Sequence, residues 1–398
     1  MKEKIAIICG IYYPDPSPTG LCVKRFVEML TDKYEISLIC ISSDGFDEVV
    51  YRENITIYRL AGWRMSLENK AAKYLKKILH LAGAVQMKTS LLGNLTWYRK
   101  KAYNCLQSIN KKNRLNAVFS ICSPFAAHCA AMDFKEKFKD IRWCAYTVDP
   151  YSSRDRIRPF NYSIDKLIKK EKYVLMKADR LLVSEEIFEN RKDLCHGHLY
   201  VEKLPYILPS NICSGGERSF FNFKDINCVY AGRFYKDIRN PQHMLKVFYE
   251  IKDPKIKLHL FSVGCEDIVN YYSKLNSNII HHEFVPHSKM SEVFRDSDIL
   301  ISISNNLSEF LPSKIFEYIA TGKPIVEFSE NQEISKNSIL NRYPIALILN
   351  ENSENSCRQV EDFCNLYSRV ELPYTMIEKI YESHSSENIK RILEKAIS

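Results

Sequence analysis

"SEFLPSKIFEYIATGKPIVEF", residues 308–328, is the stretch whose reading decides the fold. Pro312 suits the first helical position, because its ring presets φ and its missing N–H is one of the groups left unpaired there in any case. Gly322 followed by Pro324 is a strong stop, so the spacing predicts a short helix over 312–321. Ile315, Phe316 and Ile319 form its buried stripe; Ser313 and Glu317 share another face, one turn apart, and Glu309 sits in the loop before it. Leu311, at the N-cap position, has no side-chain oxygen, which leaves the N–H groups of Ser313 and Lys314 available. An uncapped helix start attracts anions. Residues 323–326 then read as a strand. A loop, helix and strand in that order belong to an α/β sheet whose ligands gather at strand C-terminal ends.

Working outward, short apolar runs alternate with helical patterns on both sides. In the first half the strands read as 4–9, 35–41, 54–60, 116–121, 142–147, 180–184 and 199–207. A helix carrying Val23, Phe26, Val27 and Leu30 on one face follows the loop 10–20. Residues 208–225 are polar, contain Pro, Gly and Ser, and break the alternation as an interdomain linker does. A second set follows, with strands at 227–233, 256–264, 278–286 and 298–303 and a helix from Pro241. The expected division is 1–208, 209–385, and a final helix 386–398 that crosses back to the first domain.

The chain has 398 residues, enough for two domains that each bury a core, and its 45% hydrophobic and 26% charged content excludes a disordered chain. Its thirteen cysteines are odd in number and scattered, with none in C-x-x-C spacing. Cys9, Cys40, Cys144 and Cys228 lie in or beside apolar runs, as reduced buried thiols do. A reducing cytoplasm is the expected location. The N-terminal apolar run is too short for a signal peptide, and no apolar stretch reaches membrane-spanning length. The formal charge of +9 concentrates at 64–83 and 98–115, where apolar positions such as Leu75, Ile78 and Leu79 recur at helical spacing. That pattern fits a helix lying on an anionic membrane at the inner face of the plasma membrane, and equally a solvated helix packed on its own core. Nucleic acid is not expected, because the charge follows no nucleic-acid-binding motif.

Two carboxylates spaced as Glu309 and Glu317, followed by "ATGKPIV", resemble the E-x7-E signature of retaining "group 1" glycosyltransferases of the GT-B type. The resemblance implies two Rossmann-like α/β domains facing each other across a cleft, the second binding a nucleotide-diphosphate sugar and the first an acceptor. It implies that the diphosphate rests on the N–H groups of Ser313 and Lys314, that Glu317 takes the ribose hydroxyls and that Glu309 holds the transferred sugar. "YAGRFYKDIRNP" (230–241) resembles the segment that clamps the diphosphate, through Arg233, Arg239 and Lys236. Arg offers a planar fork of donors and Lys a point charge. "EFVPHSKMSEVF" (283–294) resembles the base-reading segment, through Phe284 and Val285, with Glu283 where a glycine is usual. In the first domain the resemblance points to Gly20, where relatives keep a glycine pair. His128 and Asp149 complete the acceptor or sugar side, each with an ordinary structural reading beside the functional one.

No cofactor is implied beyond the nucleotide sugar as co-substrate, and no metal. "DSD" (296–298) reads as a structural helix exit. The implied activity is sugar transfer with retention to a glycan, lipid-linked or protein acceptor, in bacterial surface polysaccharide or glycoconjugate synthesis. A nucleotide-sugar epimerase of the same fold and a catalytically idle binding subunit stay open as alternatives.

Overall fold

A computed structural model describes residues 2–13, 18–62, 96–153, 164–210, 220–283, 285, 289–305, 311, 314–330, 332–336 and 338–398. The chain forms two units, Met1–Pro205 with Glu387–Ser398, and Tyr206–Ser386.

The first unit is built on β1 (Glu3–Ile8), β2 (Tyr34–Ile41), β3 (Glu48–Arg52), β4 (Ile55–Leu60), β5 (Ala117–Cys122), β6 (Arg142–Thr147), β7 (Arg180–Val183) and β8 (Val201–Lys203). Their order is β3-β4-β2-β1-β5-β6-β7-β8, parallel throughout except for the β3–β4 pair. Strand β5 is buried along its whole length, which is why it reads as an unbroken apolar run. Strand β3 is absent from the sequence reading because it has no buried residue and therefore no alternation to detect.

Val23, Phe26, Val27 and Leu30 of the helix Pro18–Leu30 are fully buried, as their spacing predicts. The helix Thr96–Lys112 buries Tyr98, Ala102, Leu106 and Ile109, so its apolar stripe is spent on the core and is not available to a membrane. The other basic stretch, 64–83, lies outside the described residues. No described helix is long and apolar enough to cross a membrane. The last helix, Ser386–Ile397, attaches to the first unit by burying Ile389, Ile392, Leu393 and Ala396. Lys33–Glu394 (3.6 Å), Lys395–Glu202 (3.0 Å) and the Lys390–Asp32 pair decorate that contact. Such exposed pairs contribute little beside the burial.

The second unit holds β9 (Ile226–Arg233), β10 (Ile256–Val263), β11 (Ile279–His281), β12 (Ile299–Ile303), β13 (Ile325–Ser329) and β14 (Ala346–Asn350), ordered β11-β10-β9-β12-β13-β14 and all parallel. The unit begins at Tyr206, ahead of the polar stretch. Tyr206 stacks on Phe316, His384 Nδ1 donates to Tyr206 O (2.9 Å), and Leu208 N donates to His384 O (2.8 Å). The helix of the opening stretch is described over Lys314–Ala320 and buries Ile315, Phe316 and Ile319, with Tyr318 as well. Gly322 ends it at φ +78°, where an added Cβ would lie 2.4 Å from Leu372 O.

Each sheet has one strand at which the chain order reverses: β1, between β2 and β5, and β9, between β10 and β12. In an open parallel sheet the crevice beyond the C-terminal ends of such a strand pair is where ligands bind.

Candidate active site

Beyond the end of β9, Phe234 stacks on Tyr230 with ring centroids 4.5 Å apart, and its N–H donates to Val263 O (2.9 Å). Tyr235 and Arg239 exchange backbone hydrogen bonds (2.9 and 3.1 Å), so residues 235–239 form a tight turn that brings Arg239 back over the strand end. Its guanidinium donates from Nη2 (2.7 Å) and Nε (3.2 Å) to Oδ1 of Asn305, two residues beyond β12. Arg239 therefore spans the β9–β12 crevice. Asn305 orients the fork without neutralising it, and among the described residues no carboxylate forms an ion pair with it. The side chains of Arg233 and Lys236, in the same segment, are exposed.

Lys314 opens the helix on the far side of this crevice. It is half-buried, and its ammonium lies 5.5 Å over the Phe294 ring. Burial pulls its pKa down to about 8; Glu317 opposes that shift, and the positive charge of Arg239 adds to it. Arg239, Lys314 and half-buried Glu317 thus share one electrostatic neighbourhood. Tyr318 registers the helix against the strand: its hydroxyl accepts from Ala231 N (3.0 Å) and donates to Ala231 O (3.3 Å), one residue before Gly232. Gly232 is tight as well, since a Cβ there would meet Tyr230 Oη at 3.2 Å and Arg239 Nη1 at 3.8 Å. Val285 is half-buried against the core beneath this rim. Glu309, Ser313 and Phe284 lie outside the described residues.

The "DSD" carboxylates are occupied structurally. Asp296 accepts from Phe220 N (2.6 Å) and pairs with Arg295 (2.8 Å), and Asp298 accepts from Asn227 N (2.8 Å) and Nδ2 (3.1 Å). Among the described residues no group of three His, Cys, Asp or Glu side chains is arranged to hold a metal.

In the first unit the expected residues divide. His128 is a core residue and not a ligand group. It is fully buried; Ser120 Oγ accepts from Trp143 Nε1 (2.8 Å) and hydrogen-bonds His128 Nδ1 (2.8 Å). Its Nε2 meets Thr147 Oγ1 (3.3 Å), so hydroxyls occupy both ring nitrogens, and burial lowers the ring's pKa to about 3. Gly20 is not in the loop after β1 either: it is buried in the first turn of the helix Pro18–Leu30, which starts before the expected position. The glycine that the rim requires is Gly10, where a Cβ would lie 2.7 Å from Ser123 O and 2.8 Å from Pro124 Cδ. Asp149 does sit at the rim, just past β6, in a turn held by buried Glu171. That carboxylate accepts from Tyr151 N (2.7 Å), Ser152 N (2.9 Å) and Ser152 Oγ (2.5 Å).

Sequence reasoning missed Asn305, Tyr318, Phe294 and Glu171. Tyr318 and Phe294 look like ordinary members of an apolar helix face, and nothing local marks Asn305 as a partner for a residue 66 positions away. Glu171 carried the one usable signal, a carboxylate at a position buried by helical spacing.

Comparison with known proteins bears on the family segment and the fold. Residues 225–359 match the family described as "Glycosyl transferases group 1". No curated protein matches the chain. Among solved structures, sucrose-phosphate synthase from Thermosynechococcus elongatus is similar at 13% identity and TM-score 0.68, over 99% of this chain and 98% of that one. The α,α-trehalose 6-phosphate synthase from Burkholderia multivorans is similar at 12% identity and TM-score 0.65, over 100% and 96%. An Escherichia coli structure described as trehalose-6-phosphate bound with UDP-2-fluoro glucose is similar at 11% identity and TM-score 0.63, over 99% of each chain. The fold is therefore α/β with two parallel-sheet domains of the GT-B glycosyltransferase kind, and the group 1 segment is the part of the second unit that carries Arg239, Lys314 and Glu317.

Proposed function

We propose that the protein is a metal-independent glycosyltransferase that moves a sugar from a nucleotide diphosphate to an acceptor with retention of anomeric configuration. The observation that carries this reading is the Arg239–Asn305 bridge across the β9–β12 crevice, with Lys314 and Glu317 beside it, inside the group 1 segment. The donor's diphosphate lies against the Arg239 and Lys314 cations, with exposed Arg233 and Lys236 adding to the field. The N–H groups at the helix start complete its contacts. Glu317 accepts from the ribose hydroxyls, and Glu309 holds hydroxyls of the transferred sugar. Catalysis is leaving-group stabilisation and positioning: negative charge grows on the diphosphate as the glycosidic bond breaks, and fixed cations there stabilise the transition state more than the bound donor. The leaving phosphate takes the acceptor proton, so no protein nucleophile is assigned.

The neighbour bound with UDP-2-fluoro glucose supports a nucleotide-sugar donor. A bacterial surface-polysaccharide role has the support of another neighbour, a lipopolysaccharide outer core galactosyltransferase, 12% identical at TM-score 0.59 over 99% of each chain.

A panel of sugar nucleotides screened by thermal shift, followed by transfer assays with NMR of the product, tests the reading. At least one donor should raise the melting temperature, because a ligand that binds only the folded state stabilises it. The product should keep the donor's anomeric configuration, and turnover should survive a chelator. An inverted product overturns retention; activity restored only by Mn²⁺ or Mg²⁺ overturns the cation-clamp mechanism. Product made without any acceptor favours the epimerase.

A further inference from the structure

The first unit has a cavity of about 670 Å³ lined by Lys135, Lys139, Arg142, Arg180, His198 and Tyr200, among others. Arg142 and Arg180 are the first residues of β6 and β7, and Tyr200 immediately precedes β8, so the cavity lies at the N-terminal ends of three adjacent strands. That is the end of the sheet opposite the turns that carry Gly10 and Asp149. Nothing in the proposed transfer reaction uses it.

The register places the two arginines together. Arg180 is level with Cys144 across the parallel β6–β7 pair, and side chains alternate along a strand, so Arg142 and Arg180 project from the same face. The Arg180 guanidinium lies 4.0 Å over the Tyr200 ring, a cation–π contact that restrains it and uses none of its N–H groups. Both arginines are half-buried, and among the described residues neither side chain donates a hydrogen bond or forms an ion pair.

The two acids in the lining are each paired with a cation. Asp179 accepts from Lys135 Nζ (2.6 Å) and Trp143 N (2.7 Å), and Asp140 pairs with Arg114. Lys135 gives its remaining protons to Lys139 O (2.9 Å) and Ile141 O (3.0 Å). His198 Nδ1 accepts from Tyr200 N (3.1 Å), so its Nε2–H donates to Ala178 O (3.0 Å), which pins the turn carrying Tyr200. The floor is neutralised, and the walls hold two guanidinium forks, one of them restrained by Tyr200. A solvated basic rim would have neither the concavity nor a guanidinium held over an aromatic ring.

We propose that this cavity binds a phosphate group, with Arg142 and Arg180 as a two-fork clamp and Tyr200 as the wall that orients Arg180. Guanidinium forks match phosphate oxygens in geometry and charge, and the volume is that of a small-ligand site. The phosphate belongs to a free metabolite or to a lipid headgroup; Leu199, 88% exposed at the lip, is placed to meet an apolar neighbour of either.

Inorganic pyrophosphate is the first probe, used with hydrogen exchange over 135–142 and 196–200 and with calorimetric titration at fixed ionic strength. Because the proposed donor site also attracts pyrophosphate, the unmodified chain is compared with Arg239→Ala. Protection of the two segments should persist in Arg239→Ala, whatever becomes of the donor reading. It should weaken by on the order of a hundredfold in concentration in Arg142→Gln/Arg180→Gln, whose folding is checked by circular dichroism. In the second arm, vesicles containing phosphatidylglycerol are compared with pure phosphatidylcholine. Anion-dependent vesicle binding that is lost in the double variant assigns the phosphate to a lipid. Pyrophosphate protection without vesicle binding assigns it to a free metabolite. Absence of both, or effects identical in the unmodified chain and the double variant, overturns the site.

Discussion

The two rims where the sheets reverse share a topology and differ in how their turns are joined. In the first unit the turns close directly on one another. Gly10 presses on Ser123, Cys122 Sγ donates to Asp149 O (3.4 Å), Phe125 stacks on Tyr151 at 4.4 Å, and Glu171 ties down the turn past β6. In the second unit the crevice is bridged by one charged fork on a neutral amide, with a second cation beside it. A rim of turns locked to one another, with the Asp149 carboxylate at its edge, suits hydroxyl-bearing acceptors, whereas an unneutralised cation pair suits a diphosphate. On the proposed function the same fold carries two chemistries, and the difference lies in side chains at the ends of four strands.

The largest expected effects test whether each rim depends on close backbone approach. Gly264 has φ +91°, and its Cβ would lie 2.4 Å from Phe234 O, so Gly264→Ala combines strain and overlap and should cost about 3 kcal/mol. Gly10→Ala, with overlap alone, should cost about 2 kcal/mol. All three tryptophans, at 63, 97 and 143, fall within the first unit's stretch of chain, so their fluorescence reports that unit. In urea, Gly10→Ala should shift the fluorescence transition, and Gly264→Ala should shift chiefly the transition seen by circular dichroism. Equal fluorescence shifts in both variants would show that the rims are not held independently.

Arg239→Ala comes next. Removing the fork should weaken binding of nucleoside diphosphate about a hundredfold, ~2.7 kcal/mol, and binding of free nucleoside less than twofold, because only the former places charge at the crevice. Calorimetric titration of both ligands decides it. Equal losses would mean that Arg239 supports the rim mechanically, as Glu171 does in the first unit, and the contrast would disappear.

These residues also show what the sequence made legible. The short helix within 312–321, its Gly322 stop and the alternation of strands and helices were readable because each rests on local spacing or local backbone geometry, whereas Arg239 was reached through the resemblance of residues 230–241 to a family segment. Pairings between distant segments were not: Asn305 with Arg239, Tyr318 with Ala231 and Glu171 with Ser152 join loops and helices that no periodicity relates. His128 shows the converse. Histidine in an alanine-rich helix looks available for chemistry until Ser120 and Thr147, on two different strands, are seen to occupy both its nitrogens. Strand β3 escaped because an exposed edge strand has no buried face to leave a pattern.

Acid should act on both units through buried histidines. Burial pulls His128 in the first unit and His259 in the second down to about 3. Unfolded, each takes up a proton near pH 6.5, so the stability owed to the neutral ring is complete above that pH and is lost as the pH falls toward 3. At pH 5 the loss is roughly 2 kcal/mol for each ring. Glu327 in the second unit has the opposite slope. Burial raises it to about 7, so between pH 7 and 4.5 the folded state holds a proton that the unfolded state lacks, and acidification stabilises it. Glu327→Gln should therefore make the second unit more acid-sensitive over that window while leaving the fluorescence-detected acid transition of the first unit in place. A matching shift in fluorescence would contradict this division of the titrating groups.

The smallest effect separates the two rims by pH alone. Below about 8 the Lys314 ammonium is charged and stands ready for a phosphate; above it, the free protein must take up a proton before the same contact forms. Affinity for nucleoside diphosphate should therefore be flat from pH 6.5 to 8 and fall by about tenfold over the next unit. Lys314→Arg keeps the cation and removes the titration, so its profile should stay flat through pH 9. Lys314→Met should bind about tenfold more weakly at pH 7, again with no break near 8. Among the described residues the first unit's rim offers no comparable group: His128 stays neutral throughout this range, and Glu171 is held by backbone N–H groups. Acceptor affinity, measured at saturating donor, should accordingly show no break at 8. A break near 8 that persists in Lys314→Arg, or one that appears equally in donor and acceptor affinity, would place the titrating group elsewhere and remove Lys314 from the clamp.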